Sequence, residues 1–228
     1  MVDYKEIKKH WDSLADTSDS YKASWEDFYM VEKEIIEICK HIQGNEEICD
    51  VGCNNGYCDF KLLALFNGIK IVGIDYSEKL ISQARKSLAK AEHKNRVEFI
   101  IGDILDPSTF PKKKFDIVLI KRVLVNLNTD NDQMQALINV KKLLNEHGKI
   151  ILAEPVEENL NKLNKLRNEF NLDGLVQPWH NLYLNKTVID SLYSRFNVEC
   201  DDDYCSSYYI FSRVFHPWVK KINGDLNT

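Results

Sequence analysis

Short apolar runs separated by longer stretches of mixed polarity set the rhythm of this chain. Five runs, at residues 47–51, 70–75, 97–101, 115–121 and 149–154, are dense in Ile, Val, Leu and Phe, and charged or glycine-containing segments bound them, as expected of buried strands. Between the second and third runs, residues 78–92 place Leu80, Ile81, Ala84, Leu88 and Ala91 on one side of a helix. After the fourth, Asp130 followed by Gln133 predicts a capped helix start, with Met134, Leu137, Ile138 and Leu144 as the buried stripe and Gly148 as the stop. Strand–helix alternation of this kind predicts an α/β sheet, parallel at its centre, with helices on both faces.

The two ends of the chain break that rhythm. Residues 196–200 and 206–215 read as two more strands joined by the acidic turn 201–204, and a turn so short allows only an antiparallel pair. The expectation is therefore a Rossmann-like, seven-stranded sheet, mostly parallel, closing with an antiparallel C-terminal hairpin. At the other end, residues 27–42 predict a helix, and Trp11, Tyr21, Trp25 and Phe28 make the first 45 residues too aromatic for a solvated tail. No repeat or low-complexity linker interrupts the chain, so residues 1–228 are read as one domain: a helical head (1–45), a central core (46–155) and a closing segment (156–228).

Composition narrows the function. A chain of 228 residues with 44% hydrophobic and 29% charged residues has the make-up of a globular protein with a full core. Its net charge of −5 argues against a general nucleic-acid binder, and Lys112–Lys114 read as a solvated loop. No apolar run approaches the roughly 18 residues of a membrane helix, and the opening MVDYKEIKKHWD lacks the apolar centre of a signal peptide. The expected setting is the cytoplasm, without membrane partners. Cys49, Cys53 and Cys58 are spaced C-x3-C-x4-C, whereas the cluster loop of radical enzymes is C-x3-C-x2-C. The longer second gap, and the place of Cys49 in a strand, favour buried thiols acting as small hydrophobes and no metal.

The chemistry concentrates after the first strand, in DVGCNNGYCD. A dinucleotide loop would read G-x-G-x-x-G; here Asn54 stands at the middle glycine and Asp59 at the third. The pattern D-x-G-x-x-x-G, from Asp50 through Gly52 to Gly56, instead resembles that of class I S-adenosylmethionine-dependent methyltransferases. Asn54 departs from the family's usual glycine, but asparagine tolerates positive φ better than most residues. Asp75 ends the second strand, 23 residues after Gly52, and Asp103 follows the third in VEFIIGDILD. The resemblance covers residues 46–155 and implies S-adenosylmethionine as cofactor. It places Asp50, Gly52, Cys53, Asn54 and Gly56 at the methionine end, Asp75 at the ribose and Asp103 at the adenine, with Tyr76 and Ile104 also in the cofactor set. Lys121 after the fourth strand, and Tyr21 and Trp25 from the head acting as a lid, complete the expected cofactor set.

Candidates for chemistry lie beyond the fourth and fifth strands. Methyl transfer to a hydroxyl benefits from a general base, and His180 in QPWHNLY or Glu154 in AEP is the expected one, with Arg122 holding the acceptor. RVLVNL, PWHNLY and the Tyr-Tyr run ending in arginine resemble a bacterial subgroup tied to capsule and surface polysaccharides. That resemblance implies a small sugar, nucleotide-sugar or phosphorylated acceptor, with Arg122, Arg167 and Arg213 as an anion-binding wall. KRVLVN stands where nucleic-acid amino-methyltransferases carry their Asn/Asp-Pro-Pro-Tyr/Phe tetrad and where catechol-type enzymes carry acidic metal ligands. Three alternatives remain open at this point: N-methyl or phosphate-oxygen transfer on a small metabolite, a non-catalytic cofactor-binding module, and a nicotinamide oxidoreductase. The letters leave oligomeric state undetermined.

Overall fold

The computed structural model describes residues 3–15, 20–204 and 206–224. Four strands form at the residues the pattern predicts: β1 (Glu47–Val51), β2 (Lys70–Asp75), β3 (Val97–Ile101) and β4 (Phe115–Lys121). The fifth, β5 (Leu144–Ala153), starts five residues early. They make one sheet in the order β3-β2-β1-β4-β5 with every pair parallel. The period of two in a strand divides the core. Ile48, Ile117 and Leu119 face one side with α2 (Phe28–Cys39), α3 (Tyr57–Leu65) and α4 (Glu78–Leu88). Cys49, Val118 and Ile120 face the other with α5 (Asp130–Lys141) and α7 (Lys186–Arg195). Helices thus cover both faces, which is why these strands are continuously apolar.

Side chains set the helix starts. Asp27, Ser77 and Thr129 each accept a backbone N–H from three residues on and cap α2, α4 and α5. Gly148 does not end α5. The helix stops at Lys141, and Gly148 lies inside β5, where a Cβ would stand 2.8 Å from the Phe115 carbonyl oxygen. Leu144 likewise belongs to β5 rather than to the stripe of α5.

Among the described residues the sheet has five strands, not seven, and the antiparallel hairpin does not form. Residues 197–203 carry no regular structure. Ser206–Ile210 (α8) continues through a π turn at Phe211–Phe215 into α9 (His216–Ile222). The run of aromatic and β-branched letters imitates a strand, but the positions that pack are Tyr209, Val214 and Trp218, five and four residues apart. The π turn absorbs the step of five and keeps all three on one side, against Leu163 of α6 (Glu157–Glu169), Phe170 and Leu172.

Phe99 fills the space that two glycines leave open. A Cβ at Gly73 or at Gly56 would each stand 2.6 Å from its ring. Phe99→Ala is expected to lower the free energy of unfolding by about 3–5 kcal/mol, read from the urea midpoint at unchanged m-value. A loss below about 1 kcal/mol would mean that the neighbours collapse into the hole.

Candidate functional site

Strand order reverses between β1 and β4, so the connections leaving their carboxyl ends diverge and open a crevice. The loop after β1 forms its floor. Gly52, Asn54 and Gly56 all have positive φ, at 78°, 56° and 79°. A Cβ at Gly52 would lie 2.2 Å from Val123 Cγ2, so only glycine lets the loop approach the β4 end. Asn54 does more than tolerate its conformation. Its N–H donates to Asp75 Oδ2 at 2.9 Å, its amide to the Ala23 carbonyl at 3.0 Å, and its Oδ1 accepts Asn55 N–H at 2.7 Å.

Asp75 is buried at the end of β2, its oxygens accepting the N–H groups of Asn54 and Ser77. Burial outweighs those bonds and pushes its pKa up to about 6. Asp50 is fully buried beneath the loop, where Oδ2 lies 2.5 Å from Lys121 Nζ. The charge expected to receive the cofactor's ammonium is thus already met by a lysine. Burial draws the Lys121 pKa down, but Asp50, Cys58 and Asp59 together outweigh it and the net shift is upward. Asp103 is exposed, with Oδ1 accepting Leu105 N–H at 2.9 Å, and Ile104 beside it is buried. The Tyr76 hydroxyl is buried with no hydrogen-bond partner, and Cys53 is 2% exposed, so only its backbone borders the loop surface. No group of three or more metal-ligating side chains is present among the described residues.

The head lies across this floor. Besides the Ala23 contact, the Ser20 carbonyl accepts the Asn55 amide at 3.0 Å. Tyr21 packs against Phe28 and Tyr57, with ring centroids 5.1 and 6.1 Å away. Helix α1 (Tyr4–Ala15) reaches the β2 end through Asp12, which accepts the Ser77 hydroxyl, and the β4 end through Trp11 Nε1–H, which donates to Asn126 Oδ1 at 3.3 Å. What remains is a cavity of about 30 Å³ bordered by Tyr21, Ser24, Gly52, Asn54, Lys121 and Arg122.

The structure disperses the expected acceptor residues. Arg122, itself at φ 54°, donates from Nη2 to buried Glu34 at 2.9 Å and lies over the Trp25 ring at 5.4 Å. Its Nε–H has no partner. Arg213 pairs with Asp27 at 2.8 Å, and Arg167 donates to the carbonyls of Asp173 and Arg213. Each of the three guanidinium groups is engaged by these internal partners. Glu154 accepts the N–H groups of Val123, Leu124 and Val125 at 2.7, 2.9 and 3.3 Å, and burial raises its pKa to about 7 against them. It organises the loop after β4. His180 stacks on His10 at 4.3 Å and meets Trp11 and Trp179 edge-on. Burial and then His10 lower its pKa to about 4, and its buried Nδ1 has no partner. Sequence reasoning missed Glu34, Asp12 and Ser77, of which only Ser77, at the head of SEKL, carried a local signal, that of a cap. It read Asp130 and Gln133 as the capped start of α5, whereas Thr129 is the cap, and Gln133 is turned to other work. Gln133 joins the Leu124 and Leu182 carbonyls, 58 residues apart in the chain, a role no spacing reveals.

The residues suit a nucleoside with an amino-acid tail: a loop that a Cβ would block, a buried carboxylate 21 residues on from Asn54, and an orphaned buried tyrosine hydroxyl beside it. The family described as "Methyltransferase domain" matches residues 42–195. An uncharacterized methyltransferase of Schizosaccharomyces pombe is 25% identical over 90% of this chain and 76% of its own length. Malonyl-[acyl-carrier protein] O-methyltransferase 1 of Ilyobacter polytropus is 27% identical over 67% of this chain. The chain spans 53% of the length of that enzyme. The fold also matches phosphoethanolamine N-methyltransferase 1 of Haemonchus contortus, solved with S-adenosylhomocysteine, at a TM-score of 0.62 and 19% identity. That match covers 83% of this chain and 39% of the other.

A carboxylate can accept two hydroxyls at once, whereas a carboxylic acid gives one of those places to its proton. Affinity for S-adenosylhomocysteine, followed by calorimetry, is therefore expected to fall as pH drops through about 6, and to be lost in Asp75→Ala at neutral pH. A flat profile between pH 5 and 7.5 would remove Asp75 from the ribose.

Proposed function

Because the chain belongs to the methyltransferase-domain family, we propose that it transfers a methyl group from S-adenosylmethionine to a hydroxyl of a small, sugar-like acceptor of the kind used in surface-polysaccharide synthesis. The cofactor is S-adenosylmethionine, and when bound it supplies a methyl group already activated on sulfur. The chain's own tasks are alignment, exclusion of water and reception of one proton. In this reading residues 46–155 hold the cofactor, the head (1–45) closes over it, and residues 156–228 face the acceptor, in the cytoplasm.

The observation that carries the acceptor reading is the orphaned Nδ1 of His180. It belongs to the loop that hangs on β4's exit through Leu182 N–H and the Val125 carbonyl, beside Trp11 and its partner Asn126. A neutral imidazole at that place accepts the hydroxyl proton as the oxygen attacks, while Asn126 orients the acceptor. Glu154 acts one step removed, by holding the turn 123–125 that carries Asn126. The free Nε–H of Arg122, on the cavity beside Lys121 and Gly52, is assigned to the cofactor's carboxylate end. With Arg122, Arg167 and Arg213 committed internally, a neutral polyol suits the site better than a phosphorylated acceptor.

The test is methyl transfer from radiolabelled S-adenosylmethionine to a panel of sugars, sugar nucleotides and amines. His180→Ala is expected to lower kcat by about 10²–10⁴-fold at unchanged affinity for S-adenosylhomocysteine. Glu154→Gln, which keeps an acceptor oxygen for the loop, is expected to cost far less. Unchanged turnover in His180→Ala, with an amine as the preferred acceptor, would replace this reading by N-methylation.

A further inference from the structure

Beneath the loop lies a buried group that methyl transfer does not use. Asp59, in the first turn of α3, is fully buried, and neither of its carboxylate oxygens has a hydrogen-bond partner among the described residues. Asp50 at the end of β1 is buried as completely. Its Oδ2 meets Lys121 Nζ at 2.5 Å, while its Oδ1 has no partner. Three carboxylate oxygens of this buried pair are thus without a partner, and after burial it is the charge of Asp50, together with a side-chain hydrogen bond to it, that raises the Asp59 pKa. Two ionised carboxylates offer only lone pairs, so a bond between them requires a proton on one.

Charge decides which one. The charges felt by Asp59 are those of Asp50 and Lys121, and the buried thiols of Cys49, Cys53 and Cys58 in turn feel the charge of Asp59. Lys121 brings one positive charge and sits on Asp50, so a second buried anion would stand uncompensated. Glu34 lies near Cys58 but is satisfied by Arg122 and Tyr204.

We propose that Asp59 is a positioning residue of the cofactor site: its protonated carboxyl donates to Asp50 Oδ1 and ties the first turn of α3 to the end of β1. These are the two elements that flank the loop from Gly52 to Gly56, so the bond closes the loop at its base. It also fixes the face of Asp50 that holds Lys121, whose side chain borders the cavity. Burial foremost, and then Asp50, push the Asp59 pKa well above the usual carboxylate range, so the proton persists at neutral pH. Ionisation would set two anions against each other, splaying β1 from α3. The proposal rests on the cofactor reading for its effect on binding, but the bond itself does not.

The test compares the full-length protein with Asp59→Asn and Asp59→Ala. An asparagine amide donates to Asp50 but cannot ionise; alanine leaves Asp50 Oδ1 orphaned. Calorimetry with S-adenosylhomocysteine at neutral pH is expected to show Asp59→Ala weaker by about tenfold or more and Asp59→Asn restoring most of that loss. From neutral to alkaline pH, wild type is expected to lose affinity faster than Asp59→Asn, which shares every other titrating group. Thermal melts give a second readout. The native state keeps a proton that the unfolded chain releases above about pH 4, so this group's contribution to stability falls as pH rises towards its native pKa. Asp59→Asn should lack that slope. Equal losses in both variants, or identical pH profiles of wild type and Asp59→Asn, would overturn the proposal. Should wild type not bind at all, the cofactor reading fails, and the melts of wild type against Asp59→Asn still decide the bond.

Discussion

Everything at this site depends on how little room the chain has when it leaves β1. The turn passes between Val123 at the β4 exit and Phe99 of β3, and a single added carbon at Gly52 or Gly56 would collide with one or the other. Three left-handed residues in five fold the loop tightly at the crevice where the strand order reverses, with its N–H groups bonded to Ile74, Asp75 and the loop itself. Phe99 props the loop from below, and the head fastens it from above through Ala23 and Ser20. Asn54 is the joint between them. A glycine there would turn as easily but would leave the head without its amide contact.

A second theme is internal neutralisation. Lys121 meets Asp50, Arg122 meets Glu34, and Arg213 meets Asp27, each pair joining segments far apart in the chain. Asp27 also caps α2 and accepts the Tyr208 hydroxyl, so head and closing segment converge on one carboxylate. Buried pairs of this sort contribute little net stability but are costly to break, because the surviving charge is stranded. Their consequence here is functional. Basic residues that look free for an anionic ligand are spent on internal partners, and the groups still without a partner among the described residues include an imidazole nitrogen, a tyrosine hydroxyl and one guanidinium N–H.

The four central strands and the loop of Gly52 to Gly56 follow from local periodicity, turn chemistry and spacing, which act over a few residues and are written in consecutive letters. The order of acidic residues after successive strands, Asp50, Asp75 and Asp103, likewise carried the cofactor class. Where the sequence misled, a longer-range demand had won. Residues 206–215 have the composition of a strand, yet they coil, because Val214 is buried against α6 rather than against a strand neighbour. Gly148 punctuates a strand rather than a helix, because close contact with Phe115 required a glycine there. Which charges are free, and that Asp50 faces inward to Lys121 and Asp59 rather than outward to a ligand, only the tertiary structure decided. A sequence gives each side chain its charge, but burial and the partner that reaches it through space determine what that charge can still bind.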